Sequence, residues 1–486
     1  MPNTTAPSAP RAAARRGPFG APAPAPRRVA PYAIAALVAL APTLPSTAEA
    51  IDLGEVYERA RDYDATIQAA EFDLESARQQ LPLARSAFKP QLTVGGDLAY
   101  GYLDAEGGSA VPGEGDDDKT YTSSGLSLSA SQTLFNRANA ALIDQADLSV
   151  RQAEAQFLAT VQTLILRVAS AYFDVLRAEA DVEFSQSELQ AIGRQREQAE
   201  RRFDVGLVPI TDVRSAQAQY DLAVAQEIAA SNQLSTAQEA LRVIAGVEGE
   251  MLSPLADDLP LASPDPADID AWVSLALEQN LDLVSARLAS EIAAEQIAIE
   301  RGARWPTLDL VGTASTADSD QVGRADTNSA ELTLQLRLPL YTGGRIGAQV
   351  NQARAQAGSA AEQLVANERT TAQQTRDGYR GVQASISRVR ALRQALVSTR
   401  QSADAIEAGF RAGTRTSIDV LQALRDVFRA RSDYAGARYD YIVNTLNLKA
   451  AAGTLEESDI EQVDRFLVPP DNDDEAGGEA NGEDAR

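Results

Sequence analysis

The sequence predicts a mainly α-helical chain that also carries membrane-type β-strands. It is built from two copies of one half-domain, each holding two strands and a long antiparallel helical hairpin. Three observations lead there. First, the chain repeats itself: Phe203, Gly206, Asp212, Val213, Leu241 and Gly246 recur 207 residues later as Phe410, Gly413, Asp419, Val420, Leu448 and Gly453. Second, short runs of period-two alternation follow the first helical stretch of each copy. Third, those runs give way to proline-free helical patterns, Arg137 to Phe203 and Gln349 to Phe410. Upstream of the strands the offset is 216, linking Ala60, Ala70, Ala77, Gln80, Pro90 and Leu92 to Ala276, Ala286, Ala293, Gln296, Pro306 and Leu308. The change in offset falls between Leu92 and Tyr172, in the region that connects the strands. A unit of about 200 residues is too long for a solenoid repeat and reads as a duplicated half-domain.

The start of the 486-residue chain does not belong to that fold. Arg11, Arg15, Arg16, Arg27 and Arg28 precede an apolar run from Ala33 to Ala41, and Ala48, Glu49 and Ala50 supply a small-residue cleavage site. This is the pattern of a secretory signal peptide over 1–50. The run is far short of the ~20 apolar residues that a spanning helix needs. Cleavage before Ile51 removes five of the 44 basic and one of the 69 acidic residues, taking the formal net charge from −25 to −29. Such a surface argues against nucleic acid, whose phosphates demand a basic footprint. The chain has no Cys and no His, which excludes disulfides, thiolate nucleophiles, imidazole bases and the usual zinc sites.

The elements follow in order. Apolar residues recur at helical spacing from Ile51 to Phe88 and again from Ala271 to Arg304, and Pro90 and Pro306 stop the two stretches. Leu92, Val94, Gly96, Leu98 and Tyr100 then alternate with Gln91, Thr93, Gly95, Asp97 and Ala99. Leu126, Leu128 and Ala130 alternate with serines, Leu308 and Leu310 with Thr307 and Asp309. The run from Glu331 to Leu340 is apolar at every even position. The lengths are close to the ~9–11 residues of a tilted transmembrane strand. A soluble sheet with one buried face gives the same alternation. The polar connections 107–118 and Ser315–Thr327 favour the membrane reading, since barrels carry such loops outside. Four strands cannot close a barrel alone, and an open sheet edge cannot stand in lipid, so membrane strands here require oligomerisation.

Each long helix spans on the order of 100 Å at 1.5 Å per residue. The first carries a heptad seam through Val161, Leu164, Val168, Ala171, Val175, Ala178, Val182, Ser185, Leu189 and Ile192. The second repeats it through Val382, Ser385, Val389, Leu392, Leu396, Thr399, Ala403, Ile406 and Phe410. Heptads sustained this far mean coiled-coil packing. Turns at 205–209 and 412–416 send the chain back along helices from Asp212 to about Ile244 and from Asp419 to about Ala451. Gly206 and Gly413 sit where helices end, and Thr211 and Ser417 where N-caps belong. The chain thus divides into a signal peptide (1–50), a first repeat (51–253), a linker (254–266), a second repeat (267–455) and an acidic, largely disordered tail (456–486).

Several phrases carry a specific resemblance: Arg202 to Val213, Gly413 to Leu421, Leu164 to Phe173, Trp305 to Leu310 and Leu338 to Gly344. Through them the chain resembles the TolC family of outer-membrane exit ducts over essentially all of 51–455. The resemblance implies a homotrimer in which a 12-stranded β-barrel in the outer membrane continues as an α-helical barrel through the periplasm. It implies a duct for type I protein secretion or multidrug efflux, with no catalytic activity, cofactor or metal. The implied partners are a periplasmic adaptor, an inner-membrane ABC or RND-type transporter, and outer-membrane lipid. Opening is by untwisting of the periplasmic coiled coils.

Residue by residue, the resemblance makes Gly206, Leu207, Gly413 and Thr414 the hairpin tips that meet the adaptor. Thr211, Asp212, Phe410 and Arg415 become links between hairpins, and Asp419 and Gln422 the constriction. Phe410 replaces a linking tyrosine of the family, so no phenol is available to Asp212. Gln422 replaces a second constriction aspartate, leaving one carboxylate ring and an entrance that is less cation-selective and less tightly latched.

Each residue also has a plainer role. Gly206 and Gly413 serve as helix stops, Asp212 and Asp419 as first-turn carboxylates, and Arg415 as a surface charge. Trp305 suits either a core or an interfacial belt. Three other classes of protein fit less well. A trimeric coiled-coil adhesin needs its strands in one terminal set. An adaptor needs a β-rich lipoyl-like segment between its hairpin arms. An enzyme needs a catalytic cluster, and the carboxylates here are dispersed.

Overall fold

The computed structural model describes residues 50–102, 120–256, 258–319 and 326–468. The expected signal peptide, the 107–118 loop and the tail beyond 468 lie outside the described residues. The first copy comprises α1 (Leu53–Tyr63), α2 (Ala65–Arg78), α3 (Gln80–Ser86), β1 (Gln91–Tyr102), β2 (Thr120–Phe135), α4 (Arg137–Asp204) and α5 (Ile210–Ala245). The second comprises α6 (Ile269–Gln279), α7 (Leu281–Gly302), β3 (Thr307–Ser319), β4 (Thr327–Arg337), α8 (Arg345–Arg411) and α9 (Ser417–Ala452), with α10 (Glu457–Asp464) after it.

Helical periodicity alone suggests one helix from 51 to 88 and one from 271 to 304, but the structure breaks both. Asp64 stops α1 and caps α2, accepting from the amides of Thr66 (2.8 Å) and Ile67 (3.2 Å). Asn280, 216 residues later, accepts from Leu283 N (2.9 Å) and donates to Ala451 O (3.0 Å). A short polar side chain that satisfies first-turn amides starts a new helix axis without disturbing the apolar period, so periodicity runs straight across the break. Asp64 is also buried. Burial opposes its charge, but the Arg167 guanidinium at 2.9 Å and the two amides outweigh it and hold the carboxyl below its ordinary range.

The four strands form one antiparallel sheet in the order β1-β2-β3-β4. Its register aligns the alternation. Val94 pairs with Leu128, Leu128 with Ala314, Leu310 with Leu334 and Leu308 with Leu336, so every apolar set stands on one face. That face is bare in the single chain, with Leu92, Val94, Leu98, Tyr100, Leu332 and Leu336 all exposed. The other face carries Thr93, Asp97, Ser127, Ser129, Thr313, Ser315, Glu331 and Thr333. Two sequence boundaries move. Ser315–Thr327, expected as loop, is strand to Ser319, because backbone pairing to β2 and β4 outlasts the apolar alternation. The last strand ends at Arg337 rather than Leu340, since Pro339 has no amide to give. Trp305, exposed at the foot of β3, is not a core residue.

The expected heptad seams are buried lines. Leu164, Val168, Ala171, Val175, Ala178, Ser185 and Ile192 are shielded along α4, and Val382, Ser385, Val389 and Leu396 along α8. The returning helices contribute alanine ladders, Ala216, Ala223 and Ala230 on α5 and Ala423, Ala430 and Ala437 on α9, again 207 residues apart. A methyl every seventh residue lets helices approach closely over a long contact. The largest cluster of buried residues lies where α1, α5 and α9 meet the middle of α4, and α6 and α10 add to its margins. There Tyr172, Phe173, Leu164, Leu53 and Leu448 are almost fully buried. Tyr172 Oη sits 2.8 Å from Ser253 O and 3.2 Å from Ile51 O, so it seats the segment before α1 on α4.

Residues 456–468, assigned by composition to the disordered tail, are ordered. Ile460 and Val463 of α10 enter the core, Lys449 pairs with buried Asp459, and Leu467 bridges to Leu255. Net acidity hides a short apolar stripe. Asp464 closes this end against α1, accepting from Leu53 N (3.0 Å) and Gly54 N (3.1 Å). Burial, then the neighbouring Asp52 carboxylate, push its pKa up to about 6. A carboxyl with a folded pKa above its unfolded value binds more protons when folded, so its contribution favours the native state at low pH and is lost as pH rises through about 6. Asp464→Asn should therefore gain thermal stability relative to wild type as pH rises from about 4 to 7. A difference in melting temperature that stays flat across that range would refute this.

Candidate functional site

All ten residues singled out by the resemblance sit at one end of the chain, at the two hairpin turns. The turns are the same motif twice. Gly206 has φ +74° and Gly413 φ +77°. Gly206 N donates to Phe203 O (2.8 Å) and Leu207 N to Arg202 O (2.8 Å); Gly413 N donates to Phe410 O (3.0 Å) and Thr414 N to Gly409 O (2.9 Å). This paired closure satisfies the last carbonyls of a helix and places its glycine in the left-handed region. A Cβ on either glycine meets nothing within 4 Å, so the requirement is conformational rather than steric.

The N-caps differ from expectation. α5 starts after Pro209 with no side-chain cap, and Thr211 lies inside its first turn. α9 is capped by Thr416, and Ser417 is its first helical residue. Thr416 wins because Asp419 closes a reciprocal box. Thr416 N (2.9 Å) and Oγ1 (2.9 Å) both donate to Asp419 Oδ2, and Asp419 N donates to Thr416 Oγ1 (3.2 Å). Those bonds to Thr416, with Arg415 nearby, hold the Asp419 carboxyl below its ordinary range. The plainer capping role of Asp419 is therefore real in the single chain. Gln422 lies along the same helix and donates to Asp426 Oδ1 (3.2 Å), so the next carboxylate stands one turn further on than position 422.

The tips are chemically unlike. The first exposes Val205 (69%) and Leu207 (74%), and the second presents Arg411, Thr414 and Arg415. A cleft of about 170 Å³ separates them, lined by Arg202, Asp212, Phe410, Gly413, Arg415 and Thr416 among others. Thr211 Oγ1 reaches only its neighbour Asp212 Oδ1, at 3.5 Å. Among the described residues, no ion pair joins Asp212 to Arg415 within the chain. Arg415 instead folds its stem across Gly409, where an added Cβ would lie 2.8 Å from its Cγ.

The two hairpins do meet, through a contact the sequence reading missed. The Arg202 guanidinium lies 4.7 Å from the centroid of the Phe410 ring. Loss of a phenol at 410 thus leaves an aromatic face that a cation occupies. One signal was available: Arg202 has Gly409 as its counterpart in the second copy, an asymmetry within an otherwise faithful repeat.

Comparison with known proteins completes the identification. Residues 56–247 and 272–454, one segment per copy, match the family "Outer membrane efflux protein". The chain belongs to this family. It is 36% identical over 430 residues to the outer membrane protein TolC of Vibrio cholerae, covering 87% of this chain and 96% of that one. It is 28% identical over 420 residues to the alkaline protease secretion protein AprF of Pseudomonas aeruginosa, covering 85% and 87%. Among solved structures, the CmeC outer membrane channel of Campylobacter jejuni superposes with a TM-score of 0.71 at 16% identity, covering 86% of this chain and 90% of that one. The protein is therefore a TolC-family outer-membrane channel of the efflux and secretion class, and not an enzyme.

The Arg202–Phe410 stack is open to a double-mutant cycle. Arg202→Ala and Phe410→Ala should each speed hydrogen exchange of the tip amides, with a coupling of about 0.5–1 kcal/mol between them. Strictly additive effects would mean that the two side chains do not hold the tips together.

Proposed function

We propose that three copies of this chain close a 12-stranded barrel in the outer membrane and continue as a helical duct through the periplasm. A periplasmic adaptor and an inner-membrane transporter recruit the duct, and it serves as the exit for secreted protein or effluxed small molecules. One observation carries the reading. The four-stranded sheet has an apolar face, a polar face and two unpaired edges, and each of its two halves continues into a hairpin about 100 Å long. Edges without partners are untenable in hydrocarbon, and equivalent copies supply the missing partners. Kinship with both a protease secretion protein and efflux channels supports either cargo.

In this duct Gly206, Leu207, Gly413 and Thr414 form the adaptor-facing ends. Thr211, Asp212, Phe410 and Arg415 hold neighbouring hairpins together, and opening is an untwisting of the coiled coils. Asp419 places one carboxylate per copy around the three-fold axis, with Gln422 contributing none. The extended seams support such motion, because their small side chains bury little per turn and permit re-registration.

Assembly is tested by mild detergent extraction. The protein should leave the outer-membrane fraction as a heat-modifiable trimer, and recovery as a soluble monomer would overturn the duct. The entrance is tested in planar bilayers. Asp419→Asn should lower cation selectivity, Gln422→Asp should raise it and strengthen block by trivalent cations, and Arg415→Ala should raise conductance. Unchanged selectivity in both 419 and 422 variants would remove these positions from the constriction.

A further inference from the structure

Above the tips, α9 is tied to both helices of the first hairpin by one side chain. Arg425 Nε lies 3.4 Å from Glu188 Oε1 on α4, and its Nη1 donates to Gln219 Oε1 on α5 at 3.0 Å. The contact lies in a cavity of about 500 Å³ between α4, α5 and α9, lined also by Asp181, Phe428, Arg429 and Ser432. Glu188 is well shielded, with 18% of its side chain exposed, and Arg425 is partly so at 38%. Burial pushes the Glu188 carboxyl up, while Arg425 and then Arg429 oppose the shift. Without Arg425, Glu188 would remain as a shielded charge with one fewer counter-ion, which costs more than losing a surface pair.

Other polar contacts between α9 and the first hairpin, among the described residues, reach α4. Ser432 Oγ donates to Asp181 Oδ1 at 2.5 Å, and Arg177 pairs with Asp440. Among the described residues, Arg425 is thus the polar tie from α9 that reaches α4 and α5 together, and it is the one nearest the entrance. It lies one turn beyond Gln422 on α9.

We propose that Arg425, with Glu188 and Gln219, is a clasp that holds the second hairpin against the first, so that its release is part of opening. The clasp positions α9, and with it the Asp419 carboxylate two turns below, rather than contacting cargo. This rests on the entrance reading above. The two are separable, because a distance between hairpins can be measured whether or not current changes.

The chain has no cysteine, so spin labels can be placed at will. Labels at exposed Gln190 on α4 and Asp433 on α9 report hairpin separation in the assembled, detergent-extracted protein. Arg425→Met retains the stem and removes the charge; it should lengthen and broaden the intrachain distance, and Glu188→Gln should do the same. The exchange pair Glu188→Arg with Arg425→Glu should restore it. In bilayers the single variants should open about fivefold more often than wild type, and the exchange pair should not. An unchanged distance in Arg425→Met, or an exchange pair that behaves as the sum of its parts, would overturn the clasp. A lengthened distance with unchanged conductance would overturn the clasp's part in opening, whereas the entrance reading stands or falls on the selectivity of the 419 and 422 variants.

Discussion

The constraint on which the rest depends is that backbone amides and carbonyls at a sheet edge have no partner in hydrocarbon. A sheet of four strands in simple antiparallel order always has two such edges, here on β1 and β4. Satisfying them from other copies of the chain is the least costly solution, because it needs no extra strand and repeats one interface. That choice sets the remaining geometry. Strands that feed a wall around a central axis must deliver their helices around the same axis, and the hairpins below the sheet are long because they extend that wall.

Duplication makes such a wall economical to encode. The two copies reproduce one another down to the left-handed glycines at 206 and 413, the alanine ladders of α5 and α9, and the breaking residues Asp64 and Asn280. Where the copies diverge, the contacts between them are found. Arg202 faces Phe410 while its counterpart Gly409 makes room for the Arg415 stem. Arg425 reaches Glu188 and Gln219 across the groove. A perfectly symmetric pair of hairpins would have no reason to treat its two members differently. These asymmetric contacts give the second hairpin surroundings distinct from those of the first.

Energetically the hairpins are poised rather than locked. Alanine and serine at seam positions bury little apolar area, and beyond the Phe173–Tyr439 stack the α4–α9 contact also uses the Arg177–Asp440 pair and the Ser432–Asp181 hydrogen bond. The tight packing is concentrated around Tyr172 and Phe173, where α1, α5 and α9 meet α4.

The sequence by itself determined the duplication, the period-two strands and their two faces, the heptad seams and the hairpin turns. All of these are written in local spacing, which a single chain displays directly. It also located the tip residues, because a glycine forced into positive φ leaves its mark in a short phrase. Only the tertiary structure decided that Ile460 and Val463 pull part of an acidic tail into the core, and that Arg202 and Arg425 join hairpins more than 200 residues apart. The reason is common to both. A short apolar stripe counts only if a surface awaits it, and an arginine finds its partner through the fold. Neither is a property of sequence spacing.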